Sequence, residues 1–299
     1  MTIRHETASV NGVRLHYAAA GPDDPEAPLI LFCHGFPEFW YTWRRQLEAF
    51  GRDHLAVAPD MRGYNLSDKP AGVEAYKAAE IVADIRALAR HLGRERFTLV
   101  GHDWGGAVCW AYAMAHPQTL ERLVIVNAPH PVLFARELAG NPAQARASQY
   151  MRLFRQDDAE AVLSADDFQW LWQFSLKPVH DKGLMSDADK AEYLKAWGQP
   201  GALTGGLNWY RASPLRPAAV EGASDGPPAL DSARFRVEVP TTVIWGMADA
   251  ALLPGLLDGL EAFVPDLTVH RLDGVSHWVT HEAPNTLNRL IREAMDGGA

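Results

Sequence analysis

Short apolar runs that end in turn residues alternate with segments whose apolar residues recur at helical spacing. The runs have the pattern of strands buried on both faces of a sheet, and they are PLILFCHG, HLAVAPD, RFTLVGHD, LERLVIVNAP, VPTTVIWG and LTVHRLD. The helical segments cover about Tyr41–Phe50, Ala75–His91, Gly105–Ala115 and Pro284–Met295, with a further helix between VPTTVIWG and LTVHRLD. An Asn-Gly turn in VNGVRLHYAAAG adds a hairpin at the start. The alternation of strand and helix predicts an α/β fold with a mostly parallel sheet flanked by helices.

This alternation stops after Pro131, and strand-like runs return only with VPTTVIWG. The residues between are rich in aromatic side chains and helix-like segments, so we expect a helical cap over the carboxyl edge of the sheet. The segment AAVEGASDGPPALDSA is the expected linker from the cap back to the sheet. The predicted organisation is therefore a core formed by residues 1–131 and 234–299, with residues 132–233 inserted as the cap.

Composition narrows the classes of partner. The chain has 299 residues, 47% hydrophobic residues and a formal net charge of -9, which fits one large domain with an insertion. An acidic chain repels phosphate backbones and anionic lipid surfaces, which argues against nucleic-acid and membrane partners. Cys33 and Cys109 both lie in apolar runs and are expected as buried free thiols rather than as a disulfide. The first residues, MTIRHETASVNGVRLHY, lack a long apolar stretch, so we expect a cytoplasmic protein; monomer and homodimer both stay open.

The stretch LVGHDWGGAVCW carries the first candidate for chemistry. Its Gly101-His102-Asp103-Trp104-Gly105 segment has the spacing of a nucleophile elbow, in which glycines flank a residue exposed between a strand and a helix. An esterase has serine where this chain has Asp103. Taken alone, Asp103 could equally be the N-cap of the following helix.

Two further residues favour the catalytic interpretation. Asp249 follows the strand TTVIWG, and His277 follows LTVHRL. The chain order is nucleophile, acid and histidine, which is the order on α/β-hydrolase sheets, and each residue comes after a strand. We therefore predict a catalytic triad of Asp103, Asp249 and His277. The CHGFPE loop supplies a second feature, because the backbone N–H groups of Phe36 and Trp104 would form an oxyanion hole.

An aspartate at this position implies a particular reaction. A carboxylate with an ordinary pKa is ionised at neutral pH and attacks a saturated carbon by displacement. The product is an ester on Asp103, which water activated by His277 then hydrolyses while Asp249 orients the imidazole. The oxyanion hole would serve the carbonyl of Asp103 itself. The expected substrate has a strained or departing group on a tetrahedral carbon, as epoxides and alkyl halides do.

The chain resembles the epoxide hydrolases of the α/β-hydrolase superfamily, which are related to the haloalkane dehalogenases. The segments that carry the resemblance are HGFPEFWYTWRRQ, DMRGYNLSDKP, GHDWGG, NAPHP, GALTGGLNWYRA and SHWVTHEAP. The resemblance implies an α/β-hydrolase fold and hydrolysis of epoxides to vicinal diols without a cofactor. It also implies that two cap tyrosines, Tyr210 and, by a looser match, Tyr150, protonate the epoxide oxygen.

Alternatives remain open at this point. A haloalkane dehalogenase would use Asp103 in the same way, with the Trp104 indole and a cap tryptophan, Trp170 or Trp172, gripping the halide. A haloacid substrate is disfavoured because related enzymes have arginine after the nucleophile. A catalytically inactive fold that binds a small hydrophobic ligand is a third reading. We take Phe36, Trp104, Trp170 and Trp172 as candidate binding residues for a small apolar substrate, and no metal-ligand spacing is present.

Overall fold

The computed structural model describes residues 2–22, 24, 26–217 and 232–297 of the chain. Eight strands form one sheet in the order β1-β2-β4-β3-β5-β6-β7-β8. The strands are β1 Arg4–Val10, β2 Val13–Ala20, β3 Leu29–Cys33, β4 Leu55–Pro59, β5 Phe97–His102, β6 Leu120–Val126, β7 Thr241–Gly246 and β8 Leu267–Leu272. The hairpin β1-β2 is antiparallel and β2 pairs antiparallel with β4, whereas β3 to β8 pair in parallel. The predicted α/β class with a mostly parallel sheet is confirmed.

The central strands carry continuous apolar runs because helices cover both faces of the sheet. Leu31 of β3 and Leu99 of β5 belong to one hydrophobic cluster, while their neighbours Phe32 and Val100 belong to the cluster on the opposite face. All four side chains are fully buried. Successive side chains of a strand point to opposite faces, so continuous apolar runs in the sequence correspond to strands in the middle of the sheet.

Helices follow the strands as predicted, with small differences at their ends. The helices outside the insertion are α1 Arg44–Phe50, α2 Ala78–His91, α3 Trp104–Ala115, α11 Val279–Glu282 and α12 Pro284–Met295. The first turns of the segments predicted at 41–50 and 75–91 belong to 3-10 helices, Trp40–Trp43 and Val73–Tyr76. Tight first turns of this kind are common at helix ends.

The helix predicted between β7 and β8 is not present. Two 3-10 turns, Pro254–Leu257 and Leu260–Ala262, occupy this segment. Gly259 precedes the second turn with φ of 87°, a left-handed conformation that ends any continuous helix. The prediction was wrong because it rested on the spacing of the leucines and took no account of residues that end a helix, such as Gly259.

The described residues between β6 and β7 are helical, and we refer to α4–α10 as the cap helices. They are α4 Pro131–Gly140, α5 Pro142–Ala147, α6 Tyr150–Leu153, α7 Ala159–Phe174, α8 Lys177–Asp181, α9 Asp187–Trp197 and α10 Ala202–Ala212. Residues 218–231 of the expected linker lie outside the described residues, and the domain boundaries at 132 and 233 stay a prediction. Within the described parts of the chain, no helix combines the length and the apolar character that crossing a membrane requires.

Glycine allows α3 to approach the sheet closely. A Cβ atom built on Gly105 would lie 2.2 Å from the backbone oxygen of Cys33 and 2.5 Å from that of His34. These atoms belong to the end of β3 and to the loop that follows it. The start of α3 is thereby held directly against the loop that carries Phe36.

Gly105→Ala should therefore lower the free energy of unfolding by about 2 kcal/mol or more, because backbone atoms cannot move aside to admit the methyl group. Gly140→Ala is the matched control, since no atom lies within 4 Å of the Cβ position there. Urea denaturation of both variants measures the difference. Equal stability of the two variants would contradict the packing argument.

Candidate active site

Asp103 lies at the turn between β5 and α3, where the sequence predicts the nucleophile. Its backbone has φ of 52° and ψ of -123°, a conformation that is rare and costly for a residue with a side chain. The carboxylate is 13% exposed, and its Oδ1 accepts a hydrogen bond of 2.8 Å from the backbone N–H of Phe36. A Cβ at Gly35 would lie 2.1 Å from this same oxygen. The loop before Phe36 therefore requires glycine to bring its N–H to the carboxylate.

The structure brings the three predicted triad residues together. Nε2 of His277 lies 3.7 Å from Oδ2 of Asp103, and Nδ1 of His277 lies 2.7 Å from Oδ2 of Asp249. The N–H groups of Ala251 and Leu252 each donate to Oδ1 of Asp249 at 2.8 Å. The acid is thus fixed on both of its oxygens, and the imidazole stands between two carboxylates.

Asn127 holds Asp249 from the neighbouring strand, a role that the sequence reasoning missed. Its Nδ2 donates to Oδ2 of Asp249 at 2.8 Å, and its Oδ1 accepts from the N–H of Gly246 at 2.8 Å. Asn127 directly follows β6 and has φ of 39°. The signal that the sequence offered was a polar residue directly after an apolar run.

A second buried network lies behind His277. His102 and Glu38 are fully buried and paired, with Nδ1 of His102 3.2 Å from Oε2 of Glu38. Nε2 of His102 lies 2.9 Å from the backbone oxygen of His277. The other oxygen of Glu38 lies 2.6 Å from Nε2 of His281 and accepts from the Tyr193 hydroxyl at 3.1 Å. This network ties the His277 loop to the loop after β3 and to cap helix α9.

The charges around His277 control its protonation. Burial opposes the charged imidazolium, but the negative charge and hydrogen bond of Asp249, with a further contribution from Asp103, raise the pKa of His277 to about 9. The charge and the hydrogen bond of His277 in turn keep the pKa of Asp249 below its ordinary value, although burial works in the opposite direction. At neutral pH the free site therefore contains an imidazolium between two carboxylates.

A cavity of about 70 Å³ opens beside Asp103, and its surface is mostly apolar. Its lining residues are Asp103, Trp104, Ala107, Pro129, Pro131, Phe134, Tyr150, Met151, Tyr210, Ser213, Leu215 and Leu252. The predicted tyrosines are both among them. Burial, together with the charge of Asp103, raises the pKa of Tyr210 and of Tyr150. Both phenols are therefore neutral hydroxyl groups at neutral pH.

The predicted oxyanion-hole residues also lie at Asp103. Phe36 contributes the N–H described above, and Trp104 is the first residue of α3, where backbone N–H groups have no partners within the helix. The ring of Trp104 stands perpendicular to that of Tyr210 at a centroid distance of 5.0 Å. A hydrogen bond from the Trp104 side chain acts against the raised pKa of Tyr210.

Three side chains predicted to bind substrate lie outside the lining of this cavity. The ring of Phe36 packs against Phe154 and Tyr210. Trp170 stacks on Phe174 at 5.0 Å. Trp172 is buried in the cap beside Trp197, with the ammonium of Lys190 over its ring. Packing within the cap and its contact with the core engages these rings, and their role in binding stays a prediction.

The site has no arrangement of metal ligands. Across the described ranges of the chain, no group of three or more His, Cys, Asp or Glu side chains could hold a metal ion. The histidine and carboxylates of the site are paired with one another. What this arrangement can do chemically is nucleophilic attack by Asp103, proton transfer by His277 and hydrogen-bond donation by the two tyrosines.

Removing either neighbouring charge should lower the pKa of His277 from about 9, because each carboxylate favours the imidazolium. Asp249→Asn should lower this pKa more than Asp103→Asn, since Asp249 supplies the larger charge effect and the direct hydrogen bond. NMR titration of the His277 ring measures both shifts. A larger shift for Asp103→Asn than for Asp249→Asn would reverse the assigned order.

Comparisons with known proteins identify the family of this chain. A family model described as the alpha/beta hydrolase fold matches residues 28–284. The chain is 38% identical to the AB hydrolase superfamily protein YfhM of Bacillus subtilis, over 97% of each chain. It is 34% identical to Epoxide hydrolase 2 of Caenorhabditis elegans, over 98% of this chain and 80% of that protein.

Solved structures of similar chains indicate the same family. A crystal structure of the Bacillus megaterium epoxide hydrolase with an inhibitor superposes with a TM-score of 0.87 at 36% identity, covering 97% of this chain and all of that one. An epoxide hydrolase, VrEH1, from Vigna radiata superposes with a TM-score of 0.79 at 29% identity, covering 98% of each chain. The chain belongs to the alpha/beta hydrolase fold family, in the branch that contains the epoxide hydrolases.

Proposed function

We propose that this enzyme hydrolyses small apolar epoxides to vicinal diols through a covalent ester on Asp103. The observation that carries the proposal is that a carboxylate nucleophile and two neutral tyrosine hydroxyls line one cavity, while a paired histidine lies 3.7 Å from that carboxylate. The relatives named as epoxide hydrolases in worms and bacteria support the same activity. The mostly apolar lining of the cavity suits an apolar substrate.

In the first step, Oδ2 of Asp103 attacks a carbon of the epoxide ring. The C–O bond of the ring breaks as the new ester bond forms, and the epoxide oxygen takes a proton from the Tyr210 hydroxyl, with Tyr150 as the second donor. Tyrosine suits this task because an alkoxide is a much stronger base than a phenolate. This step leaves an alkyl ester on Asp103 and a tyrosinate.

The second step begins once the ester has removed the charge of Asp103. One of the groups that raise the pKa of His277 is then lost, which lowers this pKa and favours release of the proton to solvent. The neutral imidazole that results is the base. His277 takes a proton from water, and the hydroxide attacks Cγ of Asp103. The N–H groups of Phe36 and Trp104 stabilise the negative oxygen of the intermediate. Collapse releases the diol, which takes a proton from His277. The new acid proton of Asp103 returns to the tyrosinate, and His277 takes back from solvent the proton that it released, which restores the free site.

Two features favour an epoxide over an alkyl halide. The tyrosine hydroxyls provide the proton that an opening epoxide needs and a departing halide does not. The Trp104 side chain, which would hold a halide, instead hydrogen-bonds to Tyr210. The cap tryptophans Trp170 and Trp172, candidates for a second halide ligand, pack elsewhere in the cap.

Purified enzyme should convert styrene oxide to its diol and release little halide from 1-chlorobutane or fluoroacetate. Diol formation is followed by chromatography and halide release by an ion-selective electrode. A boiled sample controls for spontaneous ring opening. Halide release that exceeds diol formation would replace the proposed function with a dehalogenase.

His277→Gln should accumulate the ester, because opening requires only Asp103 and the tyrosines whereas hydrolysis requires the base. Intact mass spectrometry after incubation with styrene oxide should show one added substrate mass per chain. His277→Gln combined with Asp103→Asn is the control that removes the nucleophile and should show no addition. If the single variant gains no mass under saturating styrene oxide, the two-step scheme is wrong.

A further inference from the structure

Arg155 joins the two segments that carry the active-site tyrosines. It follows α6, and its Nη1 donates to the backbone oxygen of Met151 at 2.8 Å. Its Nη2 donates to the backbone oxygen of Leu215 at 2.7 Å. Met151 and Leu215 both line the cavity beside Asp103. One guanidinium therefore joins two cavity-lining residues that are 64 positions apart in the chain.

Each of these segments leads directly to a tyrosine. Tyr150 is the first residue of α6, adjacent to Met151. Tyr210 lies near the end of α10, and its backbone oxygen accepts from the N–H of Ser213 at 3.3 Å. The Ser213 hydroxyl in turn accepts from the N–H of Leu215 at 3.2 Å. A movement of Arg155 would therefore alter the spacing between the two phenol-bearing helices.

Arg155 also brings a positive charge to the tyrosines. It is partly buried, and burial, followed by the nearby charge of Arg216, lowers its pKa to about 10, so it is charged at neutral pH. Burial and the charges of Asp103 and Asp249 raise the pKa of Tyr150, and Arg155 is the group that acts in the opposite direction. In the proposed first step a tyrosine becomes negative, and a nearby cation stabilises that state.

A second arginine near Tyr210 joins α10 to α7, and its charge is balanced differently. Arg211, beside Tyr210, makes two hydrogen bonds of 2.6 and 2.8 Å with the carboxylate of Glu160. It also donates to the backbone oxygen of Gln156 at 3.1 Å. The carboxylate neutralises Arg211, whereas the two hydrogen bonds given above for Arg155 are to uncharged backbone carbonyls. The positive charge of Arg155 is therefore balanced less by its hydrogen-bond partners than the charge of Arg211 is.

We propose that Arg155 is a positioning residue for the opening step, which holds the Tyr150 and Tyr210 segments together and stabilises the tyrosinate formed when the epoxide oxygen is protonated. This inference rests on the proposed function. It places the requirement for Arg155 in formation of the ester and not in its hydrolysis. Arg155 does not touch the reacting atoms and acts through the two phenols.

Single-turnover stopped-flow fluorescence with styrene oxide separates ester formation from ester hydrolysis. Arg155→Met should slow ester formation about tenfold to a hundredfold, part of the effect that general acid catalysis supplies, and should leave hydrolysis within about twofold of the unaltered enzyme. Arg155→Lys keeps the charge without the forked donors, so it should recover part of the loss. Tyr210→Phe provides the reference for losing a donor outright. Arg152→Met, which changes an exposed arginine of α6, is the matched control and should behave as the unaltered enzyme.

Several outcomes would overturn the assignment. These are ester formation by Arg155→Met as fast as by Arg152→Met, equal slowing of both steps, or no recovery in Arg155→Lys relative to Arg155→Met. If Arg155→Met does not fold by circular dichroism, Arg155→Gln takes its place in the same comparison. Absence of diol formation by the unaltered enzyme would instead refute the proposed function, so the two failures are distinguishable.

Discussion

The hydrogen bond from the Phe36 N–H to the carboxylate of Asp103 depends on contacts that only glycine allows. Gly35 leaves room for the carboxylate oxygen, and Gly105 lets α3 press against the loop after β3. With any larger residue at either place, the nucleophile and the oxyanion loop would separate. The rare backbone conformation of Asp103 is kept because these surroundings determine it from both sides. The strained turn at Asp103 and the crowded loop after β3 thus hold the carboxylate oxygen of Asp103 in one well-defined position.

A single charge connects the two proposed steps. The carboxylate of Asp103 is the proposed nucleophile, and it also helps to hold the proton on His277. While Asp103 is free, His277 is an imidazolium that pairs with the carboxylate and cannot act as a base. Ester formation removes the charge of Asp103, and the base becomes available when water is needed. The loss of this charge lowers the pKa of His277 and so favours the neutral base only after the ester has formed.

The residues that could be predicted from the sequence are those whose position follows from a local pattern. Asp103, Asp249 and His277 each lie in the loop or turn that follows a strand, so the parallel sheet brings them to one edge. Asn127 and Arg155 form hydrogen bonds with partners far away in the chain, and a local pattern does not identify such partners. The helix predicted between β7 and β8 was wrong for a similar reason. Apolar spacing alone does not show where Pro254 and Gly259 interrupt a helix.

An apolar cavity sets two requirements against each other. It favours an apolar substrate, but burial raises the pKa of both phenols and so makes them weaker proton donors. A donor that cannot become negative would be useless in opening an epoxide. Two groups reduce this conflict without adding a charge to the cavity lining, since the Trp104 side chain hydrogen-bonds to Tyr210 and Arg155 acts on Tyr150 from outside that lining. Donor strength can therefore be adjusted at Arg155 without a change in the residues that line the cavity.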